Sequence, residues 1–291
     1  MALYRSRRGE TSGQGAGAEF AASGARPSGF KLWVAAHPIL AYLLLAYALS
    51  WAYWVPLALG DRNVEQGVGW PTQMPGLLGP AIAAGVVTTV ALGRAGLARL
   101  WSRLTRWRVG WWWLAVVVVL AAGGVGVALG GGADSGGDLT RYNGISDSLG
   151  ALATVALVFV VNGIGEETGW RGFLADDLLR RHSLTATSLL VASAWAPWHL
   201  PLFFLQGTFE EFSAAGIVGW TLGLTAGSVV LTWLYRGSGA SILLVAVWHT
   251  AFNFTSATTA AEGAPAAITS TLVMVGAIAV VIADRRKSRP S

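Results

Sequence analysis

Long apolar runs separated by short polar segments set the pattern of this chain. Crossing the hydrocarbon core of a bilayer takes about 20 mostly apolar residues. Eight segments meet that requirement: 32–59, 74–93, 110–130, 148–174, 184–205, 212–235, 238–257 and 266–283. The weakest is 184–205, which Pro197, His199 and Pro201 interrupt; proline is tolerated in a membrane helix where neighbours or water satisfy the freed carbonyls. The pattern predicts an all-α polytopic membrane protein, a bundle of about eight transmembrane helices over 32–283. The first run, Leu32 to Leu59, exceeds the apolar core of ~7–15 residues that a cleaved signal peptide carries. It reads as a span that stays in the protein.

Two flanking segments and two internal ones depart from this pattern. Residues 1–31 are rich in Gly, Ala, Ser and Arg without apolar periodicity, and residues 284–291 are basic. Both read as cytoplasmic tails, the first of them disordered. In 94–110, Leu97, Leu100, Trp101 and Leu104 fall at helical spacing with Arg99, Arg103, Arg106 and Arg108 interleaved. That is the signature of an amphipathic helix lying in the interface. In the sixth span, Gly216, Gly219, Gly223 and Gly227 form a row of small residues that lets another helix approach closely, expected from within the same chain.

Composition agrees: 54% of residues are hydrophobic, only 12% are charged, and mean hydropathy is +0.54. Soluble domains average roughly 25% charged. With no cysteine, disulfides, thiolate nucleophiles and cysteine-held metals are excluded. A pI near 10.0 would suit a nucleic-acid binder, but the charges are distributed by topology. With the N-terminus inside, every Lys and Arg except Arg62, Arg141 and Arg171 falls in an inner segment. The acidic residues Asp61, Glu65, Asp134, Asp138, Asp147, Glu210, Glu211 and Glu262 fall outside. This is the positive-inside bias. It predicts a multi-pass protein of the cell membrane with both termini cytoplasmic, partnered by the bilayer and not by nucleic acid. Trp33, Trp51, Trp54, Trp70, Trp111, Trp112, Trp113 and Trp233 lie near span ends, where interfacial anchors belong.

Against this background the intramembrane ionisable groups stand out. Glu166, Glu167 and Arg171 interrupt the fourth span, His199 the fifth, and His249 with Asn253 the seventh. Such groups are expensive in lipid unless paired, hydrated or metal-bound, and mark functional sites by default. Glu167 and Arg171 are i, i+4 neighbours, whereas Glu166 is about 100° away around the helix. The simplest assignment pairs Arg171 with Glu167 and leaves Glu166 to face a water or metal. A carboxylate in low dielectric suits a general base or acid. His199 is suited to deprotonating a water or ligating a metal; the plainer alternative is an imidazole satisfied by a carbonyl freed at Pro197 or Pro201. His249 and Asn253 share a helix face, where they can stabilise an oxyanion, complete a metal shell, or simply hydrogen-bond between helices. His37 and His182 read as solvated.

Depth tests whether these groups meet. His199 lies ~15 residues into its span and His249 ~12, or roughly 18–23 Å from the cytoplasmic side at 1.5 Å per residue. Glu166 matches only if its helix continues unbroken from about 149 to about 181, so one long helix is expected there.

The three elements Glu166-Glu167-x-x-x-Arg171, Trp195-x-x-x-His199 and His249-x-x-x-Asn253 resemble the motifs of the CPBP (Abi) intramembrane proteases, the group that includes type II CAAX prenyl endopeptidases and bacteriocin-processing proteins. The resemblance covers about residues 94–257. One departure is visible, because the family's second motif usually opens with Phe where this chain has Trp195. The resemblance implies an eight-span bundle around a polar cavity and peptide-bond hydrolysis of a membrane-associated or lipidated substrate. Glu166 and His199 would activate water, His249 and Asn253 would stabilise the oxyanion, and Glu167 and Arg171 would support Glu166. Trp195, Trp198 and Trp248 would line the substrate pocket. A metal-free site and a Zn2+ site held by Glu166, His199 and His249 both remain open; there is no HExxH. Two other classes compete: an inactive scaffold or bacteriocin-immunity factor of the same fold, and a transporter. The transporter lacks discontinuous spans in matching halves.

Overall fold

The computed structural model describes residues 28–60, 62–130, 140–206, 209 and 212–287. The helices in chain order are α1 Gly29–Ala36, α2 Pro38–Leu59, α3 Met74–Leu104, α4 Gly110–Leu129, α5 Ala151–Leu178, α6 Leu184–Trp198, α7 Ala214–Gly237, α8 Ile242–Ser256 and α9 Ala264–Lys287. Strand-like pairing among the described residues is limited to three isolated bridges, which tie the α2–α3 loop to the α4–α5 loop and to Gln206. The protein is all-α and multi-pass.

Six helices, α2, α3, α4, α5, α7 and α9, are long and apolar enough to cross a membrane. The fifth and seventh predicted spans hold shorter helices, α6 and α8, of 15 residues each. At 1.5 Å per residue that is about 22 Å, short of the ~30 Å core. Apolar content misled here because it continues past the helix ends. After α6 the chain tightens at His199 into a 3₁₀ turn over Leu200–Phe204. Before α8 it turns through Gly239 and Ala240, and Ser241 Oγ caps the new helix by accepting from the Leu244 N–H at 3.0 Å. His199 therefore sits at the very end of α6, and His249 midway along α8.

The helix expected over 149–181 is present as α5, unbroken through Ala151–Leu178. Two π-helical stretches within it, Phe159–Ile164 and Trp170–Ala175, bracket an α-helical centre, Gly165–Gly169. π-turns in α-helices concentrate at functional sites. The bracketed residues include both glutamates. α5 is also the hub of the bundle, packed against α3, α6, α7 and α8.

The amphipathic segment is no separate element. It continues α3 beyond a kink at Gly93 (φ 60°) and ends at Leu104 rather than 110. Arg103 ties it to the inner end of α5, with Nη2 3.1 Å from Asp176 Oδ1 and Nη1 donating to Gly172 O at 3.2 Å. The predicted tails lie largely outside the described residues, which begin at Ser28 and end at Lys287; α1 starts at Gly29, and α9 runs to Lys287. Of the outer acidic residues, Asp61, Asp134, Asp138, Glu210 and Glu211 also lie outside. Trp54 is no interfacial anchor. It is fully buried, its indole N–H donates to Gln73 O at 2.9 Å, and its ring packs edge-on against Trp198.

Close helix approach occurs at α5, not at the α7 glycine row. A Cβ on Gly163 would meet Ala246 O and Thr250 Oγ1 of α8 at 2.7 Å, and one on Gly169 would meet Pro80 of α3 and the Tyr42 hydroxyl of α2 at 2.5 Å. At Gly219, Gly223 and Gly227 nothing lies within 4 Å of an added Cβ. The α7 row faces open space because it borders a cavity. Gly163→Ala is therefore expected to destabilise the fold by about 1–2 kcal/mol, overpacking outweighing the gain in helix propensity. Gly223→Ala should be neutral or stabilise by up to about 1 kcal/mol. Thermal unfolding in detergent distinguishes them, and equal effects would contradict this packing.

Candidate active site

The site begins with the central turn of α5. Glu166, Glu167 and Arg171 are all buried. Glu167 Oε1 accepts from Arg171 Nη1 at 2.9 Å, the i, i+4 pair expected from sequence. It also accepts from His249 Nδ1 of α8, at 2.8 Å. Glu167 and Arg171 thus brace His249, where the sequence reading had them supporting Glu166. The reason is rotational: the 100° step between adjacent residues aims the two carboxylates at different neighbours.

Glu166 has its own partners. The Trp195 indole N–H of α6 donates to its Oε2 at 2.8 Å, and Asn162 Nδ2, one turn back on α5, lies 3.4 Å from its Oε1. The Trp195 ring stacks under the Arg171 guanidinium, whose central carbon is 4.3 Å from the ring centroid. This compensates a cation whose Nε and Nη2 have no hydrogen-bond partner among the described residues.

His199 caps α6. Its backbone N–H turns to Ala196 O, leaving Trp195 O to accept from the ring Nδ1 at 2.8 Å. A carbonyl can only accept, so Nδ1 carries the proton and Nε2 of the neutral ring is a free acceptor. The ring meets Trp198, Trp220 and Trp195 edge-on or tilted, at centroid distances of 4.9, 5.3 and 5.8 Å. The backbone satisfies one nitrogen of this histidine and leaves the other available.

Glu166, His199, His249 and Asn253 all border one cavity of about 490 Å³, a volume within the range of small-ligand pockets. Glu167 and Arg171 do not border it. Of the three tryptophans expected in a substrate pocket, Trp195 and Trp248 line the cavity and Trp198 does not. Trp198 is spent on the core, wedged edge-on against Trp54 and Trp170. The far wall is α7, with Gly216, Gly219, Gly223 and Gly227, and Met274 of α9 contributes as well.

Sequence reasoning missed Asn162, Tyr142 and Trp220, all in the cavity wall. Asn162 carried a usable signal, being a further polar group in the apolar run, four residues before Glu166. Tyr142, in the α4–α5 loop, reaches Asn253. Burial, reinforced by the Glu166 carboxylate, pushes its phenol well above the ordinary value, so it stays an O–H donor.

A zinc site would need three convergent ligands. Among the described residues no three His, Asp or Glu side chains gather closely enough to hold a metal ion. The trio Glu166, His199 and His249 is not gathered in that way, although the Nδ1 contacts of both histidines leave each Nε2 toward the cavity, as a ligating imidazole would require.

Residues 148–255, which contain all three motifs, match the family model for type II CAAX prenyl endopeptidase Rce1-like proteins. A stretch of 125 residues is 28% identical to the "CAAX prenyl protease 2" of Methanococcus maripaludis, covering 42% of this chain and 46% of the relative. The chain thus spans about half the length of that relative. Both findings bear out the resemblance to the CPBP/Abi group.

Proposed function

We propose that this chain, whose motif-bearing region is of the CPBP/Abi type, is an intramembrane endopeptidase acting on a membrane-associated or lipidated protein. The observation that carries this is a buried glutamate, oriented by an indole N–H, sharing one cavity with two imidazoles and an amide from two other helices. Water held between Glu166 and the Nε2 of His199 loses its proton to the carboxylate as its oxygen attacks the scissile carbonyl carbon. The oxyanion is received by the Asn253 amide and by His249. In its protonated form, with Nδ1–H on Glu167, the His249 ring presents Nε2–H to the cavity. Glu166 then returns the proton to the leaving amine. The name of the archaeal relative suggests prenylated CAAX termini as the substrate class, and the mostly apolar cavity wall supports a lipid-bearing substrate. The charge bias supports both termini lying on the cytoplasmic side of the cell membrane.

The reaction as written routes no step through a metal. Turnover of a membrane-tethered peptide by the purified chain in liposomes is expected to stay within about twofold when phenanthroline or EDTA is added. Loss of activity on chelation, restored by Zn2+, would overturn the metal-free scheme while leaving the assignment as a protease standing.

A further inference from the structure

The mechanism above uses Glu166 and His199 but not the residue joining them. Trp195 touches four charged or ionisable residues at once: Glu166, Arg171, His199 and His249. Its indole N–H donates to Glu166 Oε2 at 2.8 Å, and its backbone carbonyl accepts from His199 Nδ1 at 2.8 Å. Its face lies under the Arg171 guanidinium at 4.3 Å, and His249 meets it edge-on with ring centroids 5.6 Å apart. The backbone carbonyl would serve equally well from any residue. The N–H would not, because a phenylalanine ring in the same place has no donor at its edge.

The rest of the Glu166 environment makes that donor matter. The other contact on the carboxylate is the 3.4 Å approach of Asn162 Nδ2 to Oε1, a long and weak one. The Asn162 Oδ1 has no hydrogen-bond partner among the described residues. A buried carboxylate with one short donor is fixed in rotation by that donor, and a general base acts only when the lone pair it offers points at the proton it takes. We infer that Trp195 is a positioning residue for the proposed hydrolysis: its indole N–H occupies Glu166 Oε2 and so presents Oε1 to the attacking water. A phenylalanine here, as the resembling family usually has, would keep the ring and lose the donor. The inference rests on the proteolytic reading and adds to it a residue that acts on the chemistry through Glu166.

The test compares five proteins on one tethered peptide in liposomes: wild type, Trp195→Phe, Glu166→Gln, the double variant of these two, and a variant carrying 3-benzothienylalanine at 195, which replaces the indole N–H by sulfur at nearly constant shape. Trp195→Phe and the benzothienyl variant are expected to lose roughly 10- to 100-fold in kcat with KM within about twofold, as the loss of one hydrogen bond to a charged group implies. Combining Trp195→Phe with Glu166→Gln should cost no more than Glu166→Gln alone. Wild-type kcat in the benzothienyl variant would overturn the inference, even where Trp195→Phe is impaired, because ring shape and not the N–H would then be the requirement. An unchanged rate in Glu166→Gln is a different failure: it removes the proteolytic reading, and the role of Trp195 falls with it.

Discussion

Glu166→Gln is expected to reduce turnover by about 10²–10⁴-fold while leaving the fold intact. General-base catalysis is worth that much, or about 3–5 kcal/mol of transition-state stabilisation at ~1.4 kcal/mol per tenfold. The amide is nearly isosteric with the carboxylate and can be accommodated. Its carbonyl oxygen can still accept the Trp195 indole N–H, and its NH₂ can donate to Asn162 once that amide presents Oδ1, which has no hydrogen-bond partner among the described residues. Thermal unfolding should therefore be within about 1 kcal/mol of wild type, as expected for a substitution that keeps its partners. A variant equally stable and equally active would mean that the buried carboxylate serves packing alone.

The largest effect on stability is expected at Arg171. It is completely buried, pairs with a completely buried Glu167 and stacks on Trp195. Arg171→Ala would leave Glu167 facing His249 alone, and breaking one side of a buried pair costs about 3–5 kcal/mol. The pair of exposed Arg180 with half-buried Asp176, which Arg103 also holds, provides the control at the inner end of the same helix. Arg180→Ala should cost no more than about 1 kcal/mol, because water screens it. Similar melting temperatures for the two variants would contradict the buried network. The prediction also separates roles along α5, since Arg171→Ala should damage folding and Glu166→Gln chemistry.

Much of this was legible in the sequence because the membrane makes polar groups conspicuous. A carboxylate, an imidazole or an amide inside an apolar run has few reasons to be there, so Glu166, His199, His249 and Asn253 could be singled out singly. Depth counting then brought them to one level and required the long α5 helix. What composition cannot convey is direction. Nothing in the pair Glu166-Glu167 says which carboxylate meets His249, since that depends on the rotation of α5 against α8, a tertiary property. The two π-helical stretches that flank the pair have no local signature either.

The same limit explains the other discrepancies. A glycine row announces a smooth helix face without saying what lies against it: in α5 the glycines admit neighbouring helices, and in α7 they border a cavity. Trp195 and Trp198 are three residues apart with similar neighbours in sequence, yet one orients Glu166 and the other fills the core against Trp54. Apolar content also overstated α6 and α8, because it measures transfer to lipid and not where backbone hydrogen bonding stops.

The most direct test is made on the products. Purified wild-type chain and Glu166→Gln, each in liposomes, are given membrane-tethered peptides in H₂¹⁸O, and new termini are identified by mass spectrometry. Water activated at Glu166 predicts a new C-terminal carboxylate carrying ¹⁸O from the wild type and none from the variant. Equal cleavage by both proteins, or a wild type that cuts no tethered peptide, prenylated ones included, would contradict it.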